Sequence, residues 1–334
     1  MTEVIAFGEA LIDLVALESG VTVAEASGFN KAPGGAPANV AVGLARLGVE
    51  AGFVGKVGQD PFGEYLVNVL SREGVDTSQV VYSKQARTGL AFIYLTAEGE
   101  REFSFYRHPA ADMLYHPEEI NPDYLDQAQI FHFGSLSTIA EPSRAATRAW
   151  VDHARDRDVL ISFDPNLRLN LWPDPESARK CIGELWPLAD VVKISGEEFD
   201  FMLPEEEIDL TNREQLVQAA RSLVERGLKL LTVTLGQEGC LAVSGEYAGF
   251  FPGCAVNTVD TTGAGDGFTA GLLAGLIQAD PDHRFQPAAL EKILPLANAA
   301  GALTTTRKGA IPALPTLSEV QNLLTGDSSQ NMIH

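Results

Sequence analysis

Short apolar runs alternate with amphipathic segments along most of the chain. The apolar runs, which are typical of buried strands, are Val4–Phe7, Gly52–Val57, Ile130–Phe133, Leu160–Phe163, Val191–Ile194 and Leu230–Leu235. The segments with the apolar spacing of helices are Ala38–Leu47, Pro61–Glu73, Ser143–Arg155, Pro175–Leu188 and Arg213–Arg226. Strands that alternate with helices form βαβ units, so the pattern predicts a mostly parallel sheet with helices on both faces.

Hairpins are predicted where this alternation breaks. The hairpin segments are Leu11–Leu17 with Val21–Asn30, Thr88–Thr96 with Glu102–Arg107 across a turn at 97–100, and Cys240–Val243 with Phe250–Phe251. The first two hairpins interrupt the βαβ series, and the second is rich in β-prone and aromatic residues. We therefore expect these two to form a small, half-exposed sheet beside the main one. Its hydrophobic face would cover a ligand or pair with another subunit.

The composition is that of an ordinary soluble chain with a strongly negative charge. Its 334 residues are 45% hydrophobic, and 45 Asp and Glu outnumber 24 Lys and Arg to give a net charge of −21. This charge repels phosphate backbones and anionic lipids, so nucleic-acid and membrane binding are not expected. A small anionic ligand would need a local positive field at its own site.

Cysteine usage and the N-terminal sequence predict a cytoplasmic protein. Cys181, Cys240 and Cys254 are widely spaced and form no CxxC pair, which fits a reducing compartment and argues against a metal cluster. The first residues have neither a cationic start nor a long apolar run, so no secretory signal is expected. No run reaches the roughly 18 apolar residues of a membrane span.

Several familiar cofactor and metal motifs do not occur in the sequence. There is no GxxxxGK[ST] phosphate loop, and the six histidines have no metal-ligand spacing. His108 and His132 are therefore expected to be ordinary surface or core histidines. A nicotinamide-dependent dehydrogenase would need a complete GxGxxG after its first strand, but Gly8–Asp13 lacks it and Gly263–Phe268 ends in Phe.

The strongest chemical signal is the sequence DTTGAGDGFTAGLL at 260–273. A β-prone stretch, Ala255–Val259, precedes it, and a helix is predicted at Ala264–Gln278. Successive amides at a helix N-terminus bind anions, and Gly263 and Gly265 allow the backbone to approach closely. Asp266 adds a carboxylate to this anion site. It either accepts a proton from a hydroxyl nucleophile or only complements the helix dipole.

A second glycine-rich segment, at 31–48, also leads into a helix. Gly34 and Gly35 permit close backbone approach, and Asn39 offers both a donor and an acceptor at the helix start, which suits sugar hydroxyls. The alternative is an ordinary tight turn in which Asn39 is only a helix cap.

The two glycine-rich segments resemble the paired signatures of the ribokinase-type (phosphofructokinase-B) sugar kinases. Gly34–Asn39 and Asp260–Asp266 stand in the order found in that family, and the likeness covers nearly the whole chain. The further segments most similar to fructokinases are Gly8–Asp13, Phe105–Leu114, Asp164–Arg168 and Lys193–Glu198. Ketodeoxygluconate kinases share more of these features than ribose and adenosine kinases do and are the nearest alternative.

The resemblance implies an α/β fold, a ribokinase-like Rossmann-type αβα sandwich with a mostly parallel central sheet and a small β lid. One kinase domain is expected at 1–325, with the lid formed from about 11–32 and 86–110 and a flexible tail at 326–334. The resemblance also implies a homodimer that pairs through the apolar lid residues Phe92, Tyr94, Phe103 and Phe105.

By the same resemblance the reaction is transfer of the γ-phosphoryl group of ATP to a sugar hydroxyl, converting D-fructose to fructose 6-phosphate. The catalytic residues implied are Asp266 as base and Gly263, Ala264 and Gly265 as amide donors to the phosphoryl group. The implied sugar site consists of Asp13, Gly34, Gly35, Asn39, Arg107, Asn166 and Asp266. The implied ATP site consists of Arg168, Lys193, Ser195, Thr234, Gly236, Gly239, Gly265 and Asn298.

The resemblance further implies Mg²⁺ and a monovalent cation, K⁺. Glu198 would act on Mg²⁺ through water, although Ser195 replaces the Asn that is usual in this element. The implied K⁺ ligands are carbonyls at Asp260, Thr262, Thr304, Arg307 and Gly309. Two alternatives stay open: another sugar or nucleoside kinase of the family, and a catalytically silent sugar-binding regulator on the same fold.

Overall fold

The computed structural model describes residues 2–95, 101–203 and 208–326. The predicted turn at 97–100 and residues 327–334 of the predicted tail lie outside these ranges. The strands are β1 (Val4–Phe7), β2 (Leu11–Ala16), β3 (Phe29–Gly34), β4 (Ala51–Gly58), β5 (Val80–Ser83), β6 (Leu90–Leu95), β7 (Arg101–Tyr106), β8 (Ile130–Gly134), β9 (Leu160–Asp164), β10 (Val191–Ser195), β11 (Leu230–Thr234), β12 (Cys240–Ser244) and β13 (Tyr247–Phe251). The α-helices are α1 (Ala36–Arg46), α2 (Pro61–Arg72), α3 (Ser143–Arg155), α4 (Pro175–Leu185), α5 (Gly196–Met202), α6 (Arg213–Val224), α7 (Ala264–Gln278), α8 (Pro287–Thr304) and α9 (Leu317–Thr325). Within the described ranges, no helix has both the length and the apolar character needed to span a bilayer.

The main sheet has nine strands in the order β13-β12-β11-β10-β9-β8-β1-β4-β5. Strands β11 to β5 along this order are parallel, while β12 and β13 form an antiparallel hairpin at one edge. The mostly parallel sheet predicted from the apolar runs is therefore confirmed. The edge strand β5 and the long helix α8 were not indicated by the pattern.

Helices cover both faces of the main sheet because side chains along each strand alternate between two apolar cores. In β1, Ile5 and Phe7 pack with Trp150 of α3. Val4 of the same strand packs on the other side with Leu44 of α1. All of these side chains are buried. The arrangement is the expected αβα sandwich.

The second sheet, which we call the lid sheet, has four strands in the order β3-β2-β6-β7. It confirms the small sheet predicted beside the main one. The prediction was wrong for one strand, because β3 is Phe29–Gly34 rather than Val21–Asn30. The residues before Phe29 form a loop, since Glu18 and Glu25 accept hydrogen bonds from nearby amides and hydroxyls that compete with strand pairing.

Residues 252–262, between β13 and α7, form an extended loop without strand pairing. The β-prone stretch Ala255–Val259 is therefore not a strand. The amides of Val259 and Asp260 donate instead to the carbonyl of Thr305, over 2.7 and 3.1 Å. These bonds hold the loop that leads into α7 against the end of α8.

Candidate active site

A cavity of about 1110 Å³ lies between the lid sheet and the carboxyl ends of the central strands. Strands β2, β6 and β7 form one wall, with Asp13 and Ile93 among the lining residues. The opposite wall consists of segments that follow β9, β10 and β11 and of the first turn of α7. Open parallel sheets bind ligands at this edge, outside the carboxyl ends of their strands. The cavity is therefore the candidate active site.

Asp266 lies in the first turn of α7, where two amide side chains hold its carboxylate. Asn39 Nδ2 of α1 donates to Oδ2 over 2.7 Å, and Asn166 Nδ2 donates to Oδ1 over 3.2 Å. Asn166 has a φ of 43°, a left-handed conformation that Asn adopts more readily than most residues. Through Asn39, the two glycine-rich segments of the sequence meet at this carboxylate.

The surroundings of Asp266 make it a stronger base than an ordinary Asp. Burial, the largest influence, raises the pKa of Asp266 to about 6, and the charge of Asp164 acts in the same direction. The hydrogen bond from Asn39 and the charge of Lys193 lower the pKa and oppose this shift. The carboxyl group is then mostly ionised at neutral pH and basic enough to accept a proton, as a general base requires.

The backbone that precedes Asp266 presents amides to the cavity. Gly263 is the N-cap of α7 with a φ of 77°, a conformation that glycine adopts without strain. A Cβ on Gly263 would lie 2.8 Å from the Cβ of Ala310, so a side chain would not fit there. Residues 261–266 all line the cavity. Because amides in the first turn of a helix have no acceptor within the helix, they can bind a phosphoryl group.

A buried lysine supplies positive charge beside these amides. Lys193 Nζ of β10 pairs with Asp164 Oδ2 over 3.1 Å, and a Cβ on Gly265 would lie 2.9 Å from Nζ. Burial, the largest influence, lowers the pKa of Lys193, but the nearby carboxylates, Asp164 first, outweigh it and the net shift is upward. Lys193 is thus kept cationic at the first turn of α7, although the protein as a whole is negative.

Glu198 is tied to the backbone through both carboxylate oxygens. Oε1 accepts from the amide of Leu167 over 2.6 Å, and Oε2 accepts from the amide of Ser195 over 2.8 Å. The Ser195 hydroxyl accepts in return from the amide of Glu198 over 3.2 Å, which forms a capping box at the start of α5. Each carboxylate oxygen can accept a further hydrogen bond, and Glu198 lines the cavity. The geometry is therefore compatible with the predicted contact to Mg²⁺ through water.

The predicted sugar-side residues surround Asn39. Asp13 and Gly35 line the cavity with it, while Gly34 packs against the Asp13 carboxylate so closely that a Cβ would overlap it. Gly35 has a φ of 106° and is the N-cap of α1, where a Cβ would overlap the carbonyl oxygen of Glu9. Among the described residues, Asn39 Oδ1 has no hydrogen-bond partner although it is buried. It can therefore accept a hydrogen bond from a bound hydroxyl.

Most of the predicted site residues line the cavity. They are Asp13, Gly35, Asn39, Asn166, Arg168, Lys193, Ser195, Glu198, Thr234, Gly236, Thr262, Gly263, Ala264, Gly265 and Asp266. Of the residues predicted to bind sugar or ATP, Gly34, Gly239 and Asn298 are not among the described lining residues. Asn298 is buried and donates to the carbonyls of Phe251 and Pro252 over 3.1 and 3.0 Å, so it lies behind the end of β13. A contact between Asn298 and the nucleotide stays a prediction.

Arg107, just after β7, is also outside the described lining of the cavity. Its Nε donates to Asp112 Oδ2 over 3.1 Å, and its Nη2 pairs with the same oxygen. The Arg107 side chain is only 3% exposed. The structure therefore shows a buried ion pair, and direct contact between Arg107 and a sugar stays a prediction.

Two adjoining segments behind the first turn of α7 carry the residues predicted to bind K⁺. The Asp260 carboxylate joins the segments, because Oδ1 accepts from the amide of Thr262 over 2.9 Å and Oδ2 accepts from the amide of Gly309 over 2.8 Å. The predicted carbonyl ligands lie on these segments, at Asp260, Thr262, Thr304, Arg307 and Gly309. Oxygen donors of this kind suit a hard cation.

The aromatic residues of the lid sheet divide between its two sides. Phe103 and Phe105 line the cavity and stack with ring centroids 6.0 Å apart. Phe92 contacts Phe29 and Tyr106 on the outer side, each with ring centroids 5.0 Å apart. Because side chains along a strand alternate between faces, one face cannot present all the residues predicted to pair subunits. Phe103 and Phe105 face the ligand cavity instead.

Sequence reasoning missed several residues of the cavity and its surroundings. Glu9 lines it, and Asp164 pairs with the lining residue Lys193. Arg213 lines the cavity at another position, with its guanidinium 4.7 Å from the ring of Phe250. Asp164 has a recognisable signal, since it ends a buried strand two residues before Asn166. Glu9 lies in the segment Gly8–Asp13, which resembles fructokinases, but the resemblance gave it no role. Arg213 has no signal, because a single residue on a separate element leaves no spacing in the sequence.

Comparisons with known proteins identify the family of the chain. Residues 1–317 match the pfkB family of carbohydrate kinases. The chain belongs to this family. Fructokinase-2 of Solanum lycopersicum is 49% identical to it over 323 residues, which cover 97% of this chain and 96% of that protein.

Solved structures of fructokinases in the pfkB fold extend the comparison. A fructokinase from Xylella fastidiosa with bound ATP has a TM-score of 0.87 at 36% identity and covers 98% of this chain and 99% of its own. A double mutant of a fructokinase from Vibrio cholerae O395, with fructose, ADP and potassium ion bound, has a TM-score of 0.84 at 33% identity. That match covers 97% of this chain and 98% of the other. The ribokinase-like fold expected from the sequence is confirmed.

Membership of the pfkB family makes the protein a carbohydrate kinase, and therefore a phosphotransferase. The dehydrogenase interpretation is excluded. The cavity contains a buried cation, Lys193, beside the first turn of α7 and a carboxylate with a raised pKa, Asp266, which are groups that phosphoryl transfer to a hydroxyl can use.

Proposed function

We propose that the protein is an ATP-dependent fructokinase that transfers the γ-phosphoryl group to O6 of D-fructose. The observation that carries the proposal is the position of the Asp266 carboxylate, between the Asn39 amide and the amide-rich first turn of α7. A base at the boundary of a hydroxyl-binding and an anion-binding region suits phosphoryl transfer to an alcohol. Similarity to the tomato fructokinase and to a fructose-bound fructokinase favours fructose as the acceptor.

The sugar binds between the lid sheet and α1. Asp13 and Asn39 Oδ1 accept hydrogen bonds from hydroxyls that do not react, which orients the sugar over α7. Asp266 accepts the proton of the attacking hydroxyl as the new P–O bond forms. The transition state of phosphoryl transfer is loose, so the hydroxyl loses its proton late and a base with a pKa of about 6 is strong enough.

The ATP phosphates lie against the first turn of α7. The amides there and the Lys193 ammonium stabilise the charge of the transferred group, and Arg168 adds a second cation on the same cavity. Glu198 would hold Mg²⁺ through water, and the ion would supply positive charge to the phosphates. The described part of the chain contains no group of His, Cys, Asp and Glu side chains that could hold a metal ion alone. A Mg²⁺ held mainly by phosphates and water agrees with this.

A monovalent cation, K⁺, is proposed behind the first turn of α7. The support is that Asp260 joins the two segments with the predicted carbonyl ligands, and that a similar fructokinase binds a potassium ion. The segment at 260–262 leads directly into Gly263, and the segment at 304–309 is joined to it through Asp260, so their order affects where the amides of α7 point. Replacing K⁺ by Li⁺ in the assay buffer is expected to lower turnover, and equal turnover in both salts would contradict the cation.

A homodimer is proposed through the outer side of the lid sheet. Phe29, Phe92 and Tyr106 form an aromatic cluster there, and Tyr106 is 60% exposed. Contiguous exposed apolar surface of this kind marks protein interfaces. Light scattering is expected to give twice the chain mass for the parent and a mass nearer one chain for Tyr106→Lys. A monomeric parent, or a variant that stays dimeric, would contradict the proposal.

Release of ADP across a panel of acceptors tests the reaction and the sugar. The panel is fructose, ribose, adenosine, tagatose and ketodeoxygluconate, with Asp266→Asn as the blank. We expect the highest kcat/KM with fructose, and a product that phosphoglucose isomerase and glucose 6-phosphate dehydrogenase convert with reduction of NADP⁺. A preference for another acceptor would assign a different kinase activity, and no ADP release with any acceptor would favour a silent sugar-binding regulator.

A further inference from the structure

Glu9 is a buried carboxylate that the proposed reaction does not use. It lies between β1 of the main sheet and β2 of the lid sheet, is 3% exposed, and lines the cavity. Its Oε1 accepts a hydrogen bond from the amide of Ala36, the first residue of α1, over 3.0 Å. Because α1 also carries Asn39, Glu9 is connected to the helix that holds Asp266 from the sugar side.

Four chain connections join the main sheet and the lid sheet, and each is linked to Glu9 directly or through the Arg107–Asp112 pair. Glu9 is on the first, from β1 to β2, and Ala36 follows the second, from β3 to α1. The third, from β5 to β6, contains Gly89, where a Cβ would lie 3.3 Å from Arg107 Cγ and 3.4 Å from Asp112 Oδ1. The fourth leaves β7 and contains the Arg107–Asp112 ion pair itself. Any movement of the lid sheet relative to the main sheet passes through this cluster.

The guanidinium of Arg107 interacts electrostatically with two carboxylates in this cluster. Arg107 pairs directly with Asp112, and its positive charge also acts on Glu9. Burial, the largest influence, raises the pKa of Glu9 to about 7, and Asp112 raises it further, whereas Arg107 and the Ala36 amide lower it. Glu9 therefore changes its charge near neutral pH, while Arg107 stays cationic.

The charged groups that face Glu9 come from two directions. The segment after β7 contributes Arg107 and Asp112, whose charges act on Glu9. Asp13 and Asp266 are carboxylates that line the same cavity as Glu9. From α1, the described contact with Glu9 is the uncharged amide of Ala36. Arg107 is thus the cation that an ionised Glu9 balances.

We propose that Glu9 is a positioning residue of the sugar site: it aligns the start of α1 with the Arg107–Asp112 pair of the lid and so sets the affinity for the sugar. This inference rests on the proposed sugar kinase activity. Ionised Glu9 attracts Arg107 and is a strong acceptor for the Ala36 amide. Protonated Glu9 is weaker in both respects, so Gly35 and Asn39 lose their alignment with the lid. Fructose affinity falls as the pH falls through about 7.

Steady-state kinetics of Glu9→Gln between pH 5.5 and about 8.5 tests the proposal. Gln keeps the size of the side chain and an acceptor for Ala36 but carries no charge. We expect the KM for fructose at pH about 8 to rise about tenfold, with kcat and the KM for ATP changed less than about twofold. The change of the KM for fructose near pH 7 is expected to disappear. Glu119→Gln is the control. It breaks the ion pair between Lys56 Nζ and Glu119 Oε1, which are 2.6 Å apart, and neither residue is in the described cavity lining. The KM for fructose should therefore stay unchanged.

Asp112→Asn provides an independent measurement. It removes a carboxylate that raises the pKa of Glu9, so the midpoint of the KM profile is expected to move to lower pH. If Glu9→Gln does not fold, the pH profile of the KM for fructose in Asp112→Asn tests the proposal on its own. A KM for fructose in folded Glu9→Gln within about twofold of the parent, or an unmoved midpoint in Asp112→Asn, would overturn the proposal. If the parent uses another sugar, the proposed substrate fails, and the same comparison is made with the sugar that the parent accepts.

Discussion

Asn39 Nδ2 donates to Asp266 Oδ2 over 2.7 Å, although 227 positions separate the two residues in the sequence. Asn39 lies near the start of α1 and Asp266 in the first turn of α7, so both helices begin at the cavity. The helices pack closely, since a Cβ on Gly43 of α1 would lie 2.6 Å from the Cβ of Ala270 of α7. The contact between two helices therefore sets the distance between the Asn39 amide and the Asp266 carboxylate.

Replacement of Asp266 by Asn is the most direct test of the base. We expect Asp266→Asn to lower kcat by about 10²–10⁴, because an amide cannot accept the hydroxyl proton. The KM values for fructose and ATP should change little, since the amide has nearly the same shape. Asp76→Asn is the control, as it alters a partly buried carboxylate that accepts from Tyr124 Oη over 2.7 Å, away from the described cavity lining. A kcat within about threefold of the parent would remove Asp266 from this role.

The pH dependence of turnover should report the same carboxylate. Because the base must be ionised and its pKa is about 6, we expect kcat to be level above pH about 6.5 and to fall about tenfold per unit well below 6. A kcat profile measured with saturating fructose and ATP checks this. The profile separates Asp266 from Glu9, whose protonation should change the KM for fructose. A kcat that stays level down to pH about 4.5 would contradict the shifted pKa.

The raised pKa of Asp266 also predicts a cost in stability that grows as the pH rises. A carboxyl group with a pKa higher in the folded than in the unfolded state binds its proton more tightly when folded, so folding becomes less favourable as the pH rises through this range. The cost is complete above pH about 6 and absent below about 4, and it amounts to at most about 3 kcal/mol. Asn has one acceptor oxygen and loses one of the two hydrogen bonds from Asn39 and Asn166 at every pH, so the test is the pH dependence. The melting temperature of Asp266→Asn relative to the parent should rise between pH 4 and pH 8. Thermal unfolding at both pH values measures it, and a difference that does not move in favour of the variant would contradict the burial cost.

The sequence predicted those parts of the site that depend on local backbone geometry. Gly263 and Gly35 are required by positive φ angles and close packing, and each marks the start of a helix. Asp266 and Asn39 follow them closely, so the glycine-rich segments pointed to both residues, and the family resemblance implied their roles. Local geometry of this kind leaves a pattern in the sequence because few residues satisfy it.

Parts that depend on long-range packing could not be predicted in this way. The true position of β3 depends on its pairing with β2, in which Asp13 lies opposite Ala32. The burial of Arg107 depends on Asp112 and on the strands around it, and the role of Glu9 depends on its links to four chain connections. None of these relationships has a fixed spacing, so pattern and propensity do not reveal them.

Two glycine substitutions distinguish an effect on the anion-binding first turn of α7 from a general effect on helix stability. A Cβ at Gly265 would lie 2.9 Å from Lys193 Nζ, so Gly265→Ala should displace the ammonium and lower kcat/KM for ATP about tenfold or more. Gly183→Ala in α4 is the matched control, because its Cβ meets nothing within 4 Å. It should keep full activity and gain about 0.5–1 kcal/mol of stability, as alanine is the better helix former. Equal activity in the two variants would show that Lys193 need not occupy this position.

The lid sheet touches the far wall of the cavity through Phe103, and this contact predicts how the lid stays closed. Asn170 Nδ2 donates to the carbonyl of Phe103 over 3.0 Å, and the Arg168 guanidinium lies 5.5 Å from the Phe103 ring. Asn170→Ala removes one hydrogen bond that exists only with the lid in this position. A bond of this kind contributes about 0.5–1.5 kcal/mol, so the KM for fructose should rise about three- to tenfold.

Asn121→Ala is the control for Asn170→Ala, because it also removes one hydrogen bond that an exposed Asn donates. Asn121 Nδ2 donates to Gln79 Oε1 over 3.2 Å, away from the described cavity. It should leave the KM for fructose unchanged. Opening of the lid also admits water to the phosphates, so Asn170→Ala should release more ADP than the parent when no sugar is present. If Asn170→Ala matches Asn121→Ala in both the KM and the sugar-free release of ADP, the contact at Phe103 does not hold the lid.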